Sequence, residues 1–299
     1  MQYSPSSFSV VKAQRLIVPC LLGVLLLFVS AAESAAPYEL RSWDELSDQD
    51  MTALGRAALR GRPIRWVHAE SDRYIYHAAN RRTLDRVARE VEWADAEIER
   101  RLGLPATESR GRWFVVEEER VWRRLIRMSG GRHDGAAVHL GNELFIRRDR
   151  AHDLNHIDIP HELVHFRLQQ AYDNLPLWLE EGLAQWLGWE LAKTYQLRQG
   201  FSLHREHEPI PSDDRLSWDD VLLRTTYPRD PGQNRAFYRQ SSVLIEQLAQ
   251  RLGPDEMGAF VQKALRHRGD FHRTVEMAYE WSPDDEADFF ERVEAVLWP

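Results

Sequence analysis

Two histidines four residues apart, with a glutamate beside the first, stand out in this 299-residue chain as the residues best suited to chemistry: His161-Glu162-Leu163-Val164-His165. On a helix, positions four apart project from one face about one turn apart. Neutral imidazoles at that spacing can hold two corners of a tetrahedral zinc site. Glu162 then lies where a general base could reach a water on the same metal. The bland reading is an amphipathic helix carrying two unrelated histidines. Leu163, Val164, Phe166, Leu168 and Ala171 argue for burial instead, and buried His and Glu side chains require partners.

The third ligand is expected from Pro176 to Glu190, PLWLEEGLAQWLGWE. Pro at the first position suits a helix, and the apolar side chains point almost all round its axis, as in a buried helix. Glu181, Gln185 and Gly188 share one side. Glu181 is the candidate ligand, with water in the open fourth position of a catalytic site; a salt bridge to one of the arginines is the alternative. Gln185, one turn on, is placed to hydrogen-bond a ligating side chain. Glu180 projects about 100° from Glu181 and is not expected to share its target. Gly182 and Ala184 leave room for another helix.

HELVH followed by LPLWLEEGLAQW resembles the gluzincin clan of zinc metallopeptidases and, in miniature, the gluzincin aminopeptidases. Their W-L-x-E-G-[FL]-A segment binds zinc through the Glu before Gly, which implies His161, His165 and Glu181 as zinc ligands here. A further segment of those families, roughly Y-x-x-[GS]-x-x-[VL]-[LI]-x-x-L ending in L-G, is similar to Tyr238 through Leu248 and on to Leu252-Gly253. Tyr238 alone reads as a core or helix-entry aromatic; the resemblance implies that it donates a hydrogen bond to the oxyanion of a tetrahedral intermediate. The aminopeptidase signature G-x-M-E-N is absent, its nearest counterpart being Gly135 to Ile146, which leaves an endopeptidase or another hydrolase. Metzincins are excluded, because Phe166 to Tyr172 holds neither the required Gly nor a third His. The resemblance implies a zincin-like fold, a peptide or protein substrate and Zn²⁺ as cofactor. A zinc-binding envelope assembly protein without turnover is the rival reading, and a metal-free structural protein another.

The elements that must position these residues are read along the chain. Residues 1–32 have the layout of a signal peptide, with Lys12 and Arg15 before an apolar run from Leu16 to Val29 and small residues after it. Export to the periplasm or the extracellular space is expected, with an uncleaved N-terminal anchor as the one link to a membrane. Cys20 is the only cysteine, so the exported part would contain no disulfide. A formal charge of −8 gives no reason to expect nucleic-acid binding.

Residues 37–60 read as a helical lead-in spaced by Trp43, Leu46, Met51, Leu54 and Leu59. Ile64 to His77 alternates like a pair of strands, in which His68 and His77 are structural. Asn80 should cap a helix that ends at Gly103. Arg112 to Glu117 reads as a buried strand, followed by a helix through Met128. Ala136 to Leu140 and Glu143 to Arg147 read as a hairpin turning at Gly141-Asn142, either an ordinary hairpin or, as the resemblance implies, a strand whose free edge pairs with an extended peptide. Residues 148–160 form a polar approach to His161. Leu197 to Leu216, with His204, Glu206, His207 and Glu208, reads as a solvated rim, with a second metal site as the lesser alternative. Helices follow Tyr238, the last capped by Ser282-Pro283-Asp284-Asp285-Glu286. The expected architecture is α+β: residues 37–154 with a small mixed or antiparallel sheet plus helices, and residues 155–299 mainly helical, holding the metal between two helices.

Overall fold

A strand that is apolar on both faces must lie inside a sheet covered from two sides, and Trp113-Phe114-Val115-Val116 is such a run. The computed structural model describes residues 38–42, 45–47, 51–59, 66–106, 110–128, 137–147, 157–198 and 210–298. In it that run forms β4 (Gly111–Val116) of a six-stranded sheet. The remaining strands are β1 (Glu39–Arg41), β2 (Trp66–Glu70), β3 (Tyr74–Ala78), β5 (Ala137–Leu140) and β6 (Glu143–Arg147), in the order β1-β2-β3-β4-β6-β5. The pairs β1–β2, β2–β3 and β5–β6 are antiparallel, while β3–β4 and β4–β6 are parallel. The fold is therefore α+β with a mixed sheet.

Each face of the sheet has its own core. Trp113 and Val115, with Leu144 and Ile146, face the larger one; Phe114, Val116 and Phe145 face the smaller. Helices α1 (Ala53–Leu59) and α3 (Glu119–Met128) cover the smaller core through Leu59, Val121, Trp122 and Leu125. On that face His68, His77, Phe114 and Phe145 form a row of rings across neighbouring strands, with centroids 4.9, 4.7 and 5.1 Å apart in turn. His68 and His77 are thus core residues on the side of the sheet away from His161 and His165. Helix α2 (Arg81–Leu102) lies on the other face. Asn80 Oδ1 accepts from Thr83 N at 2.9 Å, Gly103 closes the helix in the left-handed region (φ 59°), and Leu84, Val87, Val91, Ala94 and Ile98 are buried.

The larger core is extended by α4 (Asp158–Ala171), α5 (Leu177–Arg198), α6 (Trp218–Leu222), α7 (Pro231–Leu252), α8 (Met257–Arg266), α9 (Phe271–Tyr279) and α10 (Pro283–Leu297). The parts expected at 37–154 and 155–299 therefore share one core. Helix α5 packs against both α4 and α7. Its apolar side chains Trp178, Leu179, Leu183, Ala184, Trp186, Leu187 and Leu191 are all buried, as their spread around the axis requires. Helix α10 begins with a complete capping box between Ser282 and Asp285.

Two contacts fix where α4 and α5 sit. Arg167 of α4, 1% exposed, lies 3.1 Å from the buried carboxylate of Asp95 on α2 and donates to the Pro105 carbonyl at 2.6 Å. Arg73 donates to both Asp95 and Glu99 at 2.7 Å, so α2, α4 and the start of β3 share one charge network. Pro176, just ahead of α5, is covered by the turn at Gly269 (φ 77°), where a Cβ would fall 1.9 Å from Pro176 Cγ.

Several sequence expectations need correction. Among the described residues of the lead-in at 37–60, α-helix is confined to α1, and Glu39–Arg41 is strand β1, which pairs with β2 through Leu40↔Val67. That non-local pairing satisfies backbone groups in a way local spacing does not reveal. The approach to His161 is already helical from Asp158, with Pro160 in the first turn, where its missing N–H costs nothing. Helix α5 runs on to Arg198, past Glu190. Trp43, the signal segment at 1–32, and His204, Glu206, His207 and Glu208 lie outside the described residues. Among the described residues no helix is long and apolar enough to cross a membrane.

Candidate metal centre

His161 and His165 stand one turn apart on α4, and Glu181 reaches them from the second turn of α5. The helices approach closely because Gly188 of α5 lies against the His161 backbone, where a Cβ would be 3.2 Å from Cα. The three ligand atoms form a compact triangle. His161 Nε2 and His165 Nε2 are 3.2 Å apart, and Glu181 Oε2 lies 3.4 Å from His165 Nε2 and 3.8 Å from His161 Nε2. Ligand atoms at the corners of a tetrahedron about 2.1 Å from a metal stand about 3.4 Å apart, so the observed edges fit such a site. The donor set agrees, since two imidazole nitrogens and a carboxylate oxygen suit zinc. Glu181 Oε2 is buried and, among the described residues, meets no donor nearer than His165 Nε2 at 3.4 Å. One proton on either imidazole could serve only one edge of the triangle, whereas a cation at its centre serves all three corners. Among the described residues this is the one cluster of His, Cys, Asp and Glu with such geometry.

The surrounding shell is anionic. His165 Nδ1 donates to Glu180 Oε1 at 2.9 Å, and Gln169 Nε2 donates to the same oxygen at 3.0 Å. A carboxylate on Nδ1 orients the ring and leaves Nε2 to face the metal position. Sequence spacing placed Gln185 in this role and set Glu180 aside. Glu180 does not share the target of Glu181, but from its own side of α5 it reaches the far nitrogen of His165. Gln185 is half-buried and makes no such bond. The second oxygen of Glu181, Oε1, accepts a hydrogen bond from the hydroxyl of Tyr227.

Electrostatics follow from burial and these neighbours. Burial pushes the Glu162 carboxyl up to about 7, with His165 opposing and Glu181, Asp158 and Glu180 adding to the rise. Burial, with the charge of His165, holds His161 down at about 4. At His165 burial pulls downward, but Glu181 and Glu180 outweigh it and lift the imidazole well above its ordinary value. At Glu181 burial opposes ionisation, and His165 and His161 overcome it to keep the carboxylate charged. Tyr238, on α7, is half-buried, and burial together with Glu181 raises its hydroxyl far above the ordinary tyrosine range. It therefore stays protonated and can donate.

The structure thus brings together His161, Glu162, His165, Glu181 and Tyr238. Sequence reasoning missed Glu180, Tyr227 and His139. His139 is on edge strand β5, its ring edge-on to Phe166 of α4 at 5.9 Å, and burial depresses it to about 4. Gln170 of α4 donates to Asn142 in the β5–β6 turn at 3.0 Å, which seats the hairpin beside the helix that carries both histidines. Comparison with protein-family models and with curated proteins finds no match.

Proposed function

We propose that the protein is an exported, zinc-dependent metallopeptidase of gluzincin type on a zincin-like fold, acting as an endopeptidase. The observation that carries this reading is the triangle of His161 Nε2, His165 Nε2 and Glu181 Oε2, with Glu162 and Tyr238 beside it. A bound zinc would supply Lewis acidity and lower the pKa of water to about 7. Glu162, whose carboxyl is raised by burial in the metal-free protein, takes a proton from the attacking water and passes it to the leaving amine, the role of a general base. The Tyr238 hydroxyl donates to the carbonyl oxygen as negative charge develops there. Glu180 keeps His165 in the tautomer with its proton on Nδ1. Among the described residues strand β5 ends the sheet, and an edge of that kind can take up an extended peptide by strand addition. Export rests on the N-terminal segment at 1–32.

The test is zinc content and casein cleavage measured on the same samples. Wild type should carry about one zinc per chain, and both zinc and cleavage should be lost in His161→Ala and in Glu181→Ala. Glu162→Gln should keep the metal while cleavage falls about 10²–10⁴-fold. Zinc with no cleavage of any peptide would turn the reading to a zinc-binding envelope protein, and a wild type that takes up no zinc would refute it.

A further inference from the structure

Tyr227 lies in the irregular link from Leu223 to Asp230 between α6 and α7. Asp230 Oδ1 caps α7 by accepting from Gln233 N at 2.9 Å, and Pro228 is buried. The link lays the Tyr227 ring parallel to Tyr238, with centroids 5.8 Å apart and planes 17° apart. Phe237 meets the same ring edge-on at 6.4 Å. The Tyr227 hydroxyl donates to Glu181 Oε1, while Oε2 of the same carboxylate faces the two histidines.

We infer that Tyr227 is a positioning residue of the metal centre, one that fixes Glu181 as a single-oxygen ligand and holds the ring of Tyr238 in register with it. This rests on the proposed zinc site. A carboxylate with two free oxygens can rotate and share both with a cation. With Oε1 engaged by a hydroxyl, only Oε2 is presented and the rotation is fixed. Such outer contacts to ligands are worth about 10–100-fold in metal affinity. The ring does a second job. Tyr238 leaves α7 with its own rotamer freedom, and the stacked ring restricts that freedom while leaving the Tyr238 hydroxyl to donate. One loop residue thereby couples the ligand on α5 to the oxyanion donor on α7. An aromatic that served only to pack would have no need of a hydroxyl aimed at a ligand carboxylate.

Two substitutions separate these jobs. Tyr227→Phe keeps the stack and removes the hydroxyl; Tyr227→Leu removes both. Zinc affinity is read by competition with a chelator, thermal stability on the metal-free proteins, and kcat and KM on the loaded ones. Tyr227→Phe should bind zinc about 10–100-fold more weakly while the metal-free protein melts as wild type does. Tyr227→Leu should match that loss and also lower kcat beyond Tyr227→Phe, with KM little changed. If wild type binds zinc and Tyr227→Phe binds it equally well, the inference is wrong and the zinc site stands. Weaker binding accompanied by an equal loss of stability in the metal-free protein would reduce Tyr227 to a packing residue and also overturn it. A wild type without zinc affinity would remove the proposed function and this inference together.

Discussion

His165 sits between two carboxylates, Glu180 on Nδ1 and Glu181 beside Nε2. Their charges outweigh burial and raise its pKa above the ordinary value near 6.5. The sign follows directly. A histidine raised in the fold adds stability that is fully present below the unfolded value and is lost as pH rises through the folded one. The metal-free protein therefore carries a proton on His165 at pH 7, and zinc must displace it. His161, held at about 4, has none to lose at that pH. Zinc binding at pH 7 should release the His165 proton, with protons from Glu162 and from a metal-bound water adding to it, and affinity should climb with pH through the neutral range. Calorimetric titration in two buffers of different ionisation enthalpy measures this, and zero release would contradict the protonated state. At this scale much of the site was legible. His161, Glu162 and His165 follow from spacing on one helix and Glu181 from an acidic residue beside a glycine in an apolar run. Glu180 was set aside because angles about the α5 axis say which residues share a metal, not which ones reach the far side of a histidine ring. Tyr227 sits in a link without periodicity, so no pattern marks it.

Helix α5 meets its neighbours at two glycines with different tolerances, α7 at Gly182 and α4 at Gly188. A Cβ at Gly182 would lie 2.6 Å from the Ser241 carbonyl oxygen and 2.6 Å from Ile245 Cγ1, both on α7. At Gly188 the closest approach, to the His161 backbone, is 3.2 Å. Alanine in a helix gains up to about 1 kcal/mol over glycine, whereas forcing atoms into a packed contact costs roughly 1–3 kcal/mol. Gly182→Ala should therefore be destabilising on the order of 1–3 kcal/mol and weaken zinc retention, because Glu181 is its neighbour. Gly188→Ala should lie closer to wild type in both. Denaturant midpoints and zinc content of the two variants give the comparison, and the reverse order would show that α5 and α7 are not held at this contact. Helices and their ends were the most legible elements: the Asn80 cap, the Gly103 stop and the Ser282 box are local chemistry. Strand β1 and the parallel joins β3–β4 and β4–β6 were not, because pairing partners distant in sequence leave no mark on either strand alone.

Across the whole molecule, the sheet half and the helical half are tied by charge buried between α2 and α4. Asp95 is fully buried and Arg167 nearly so. Removing one partner of such a pair leaves the other uncompensated, at about 3–5 kcal/mol. Asp95→Ala should lower stability by that order, equivalent to roughly 6–20 °C in Tm for a chain of this size. Thermal and denaturant melts check it; a loss below about 1 kcal/mol would show that the Pro105 carbonyl and Glu99 suffice to hold Arg167. None of this network was read from the sequence, because Arg167 follows two histidines as one arginine among many and its partner lies on another helix.

The turn at Gly269 carries a consequence for these same residues. It belongs by sequence to the C-terminal helices, yet it closes over Pro176, the residue from which α5 departs. A side chain there would be strained by the positive φ and would also press on the threshold of the helix that presents Glu180 and Glu181. The carboxylates of the centre are thus indexed from behind: a remote bend sets the point from which the helix counts its residues, and the ligand is correctly aimed only while that bend stays bare.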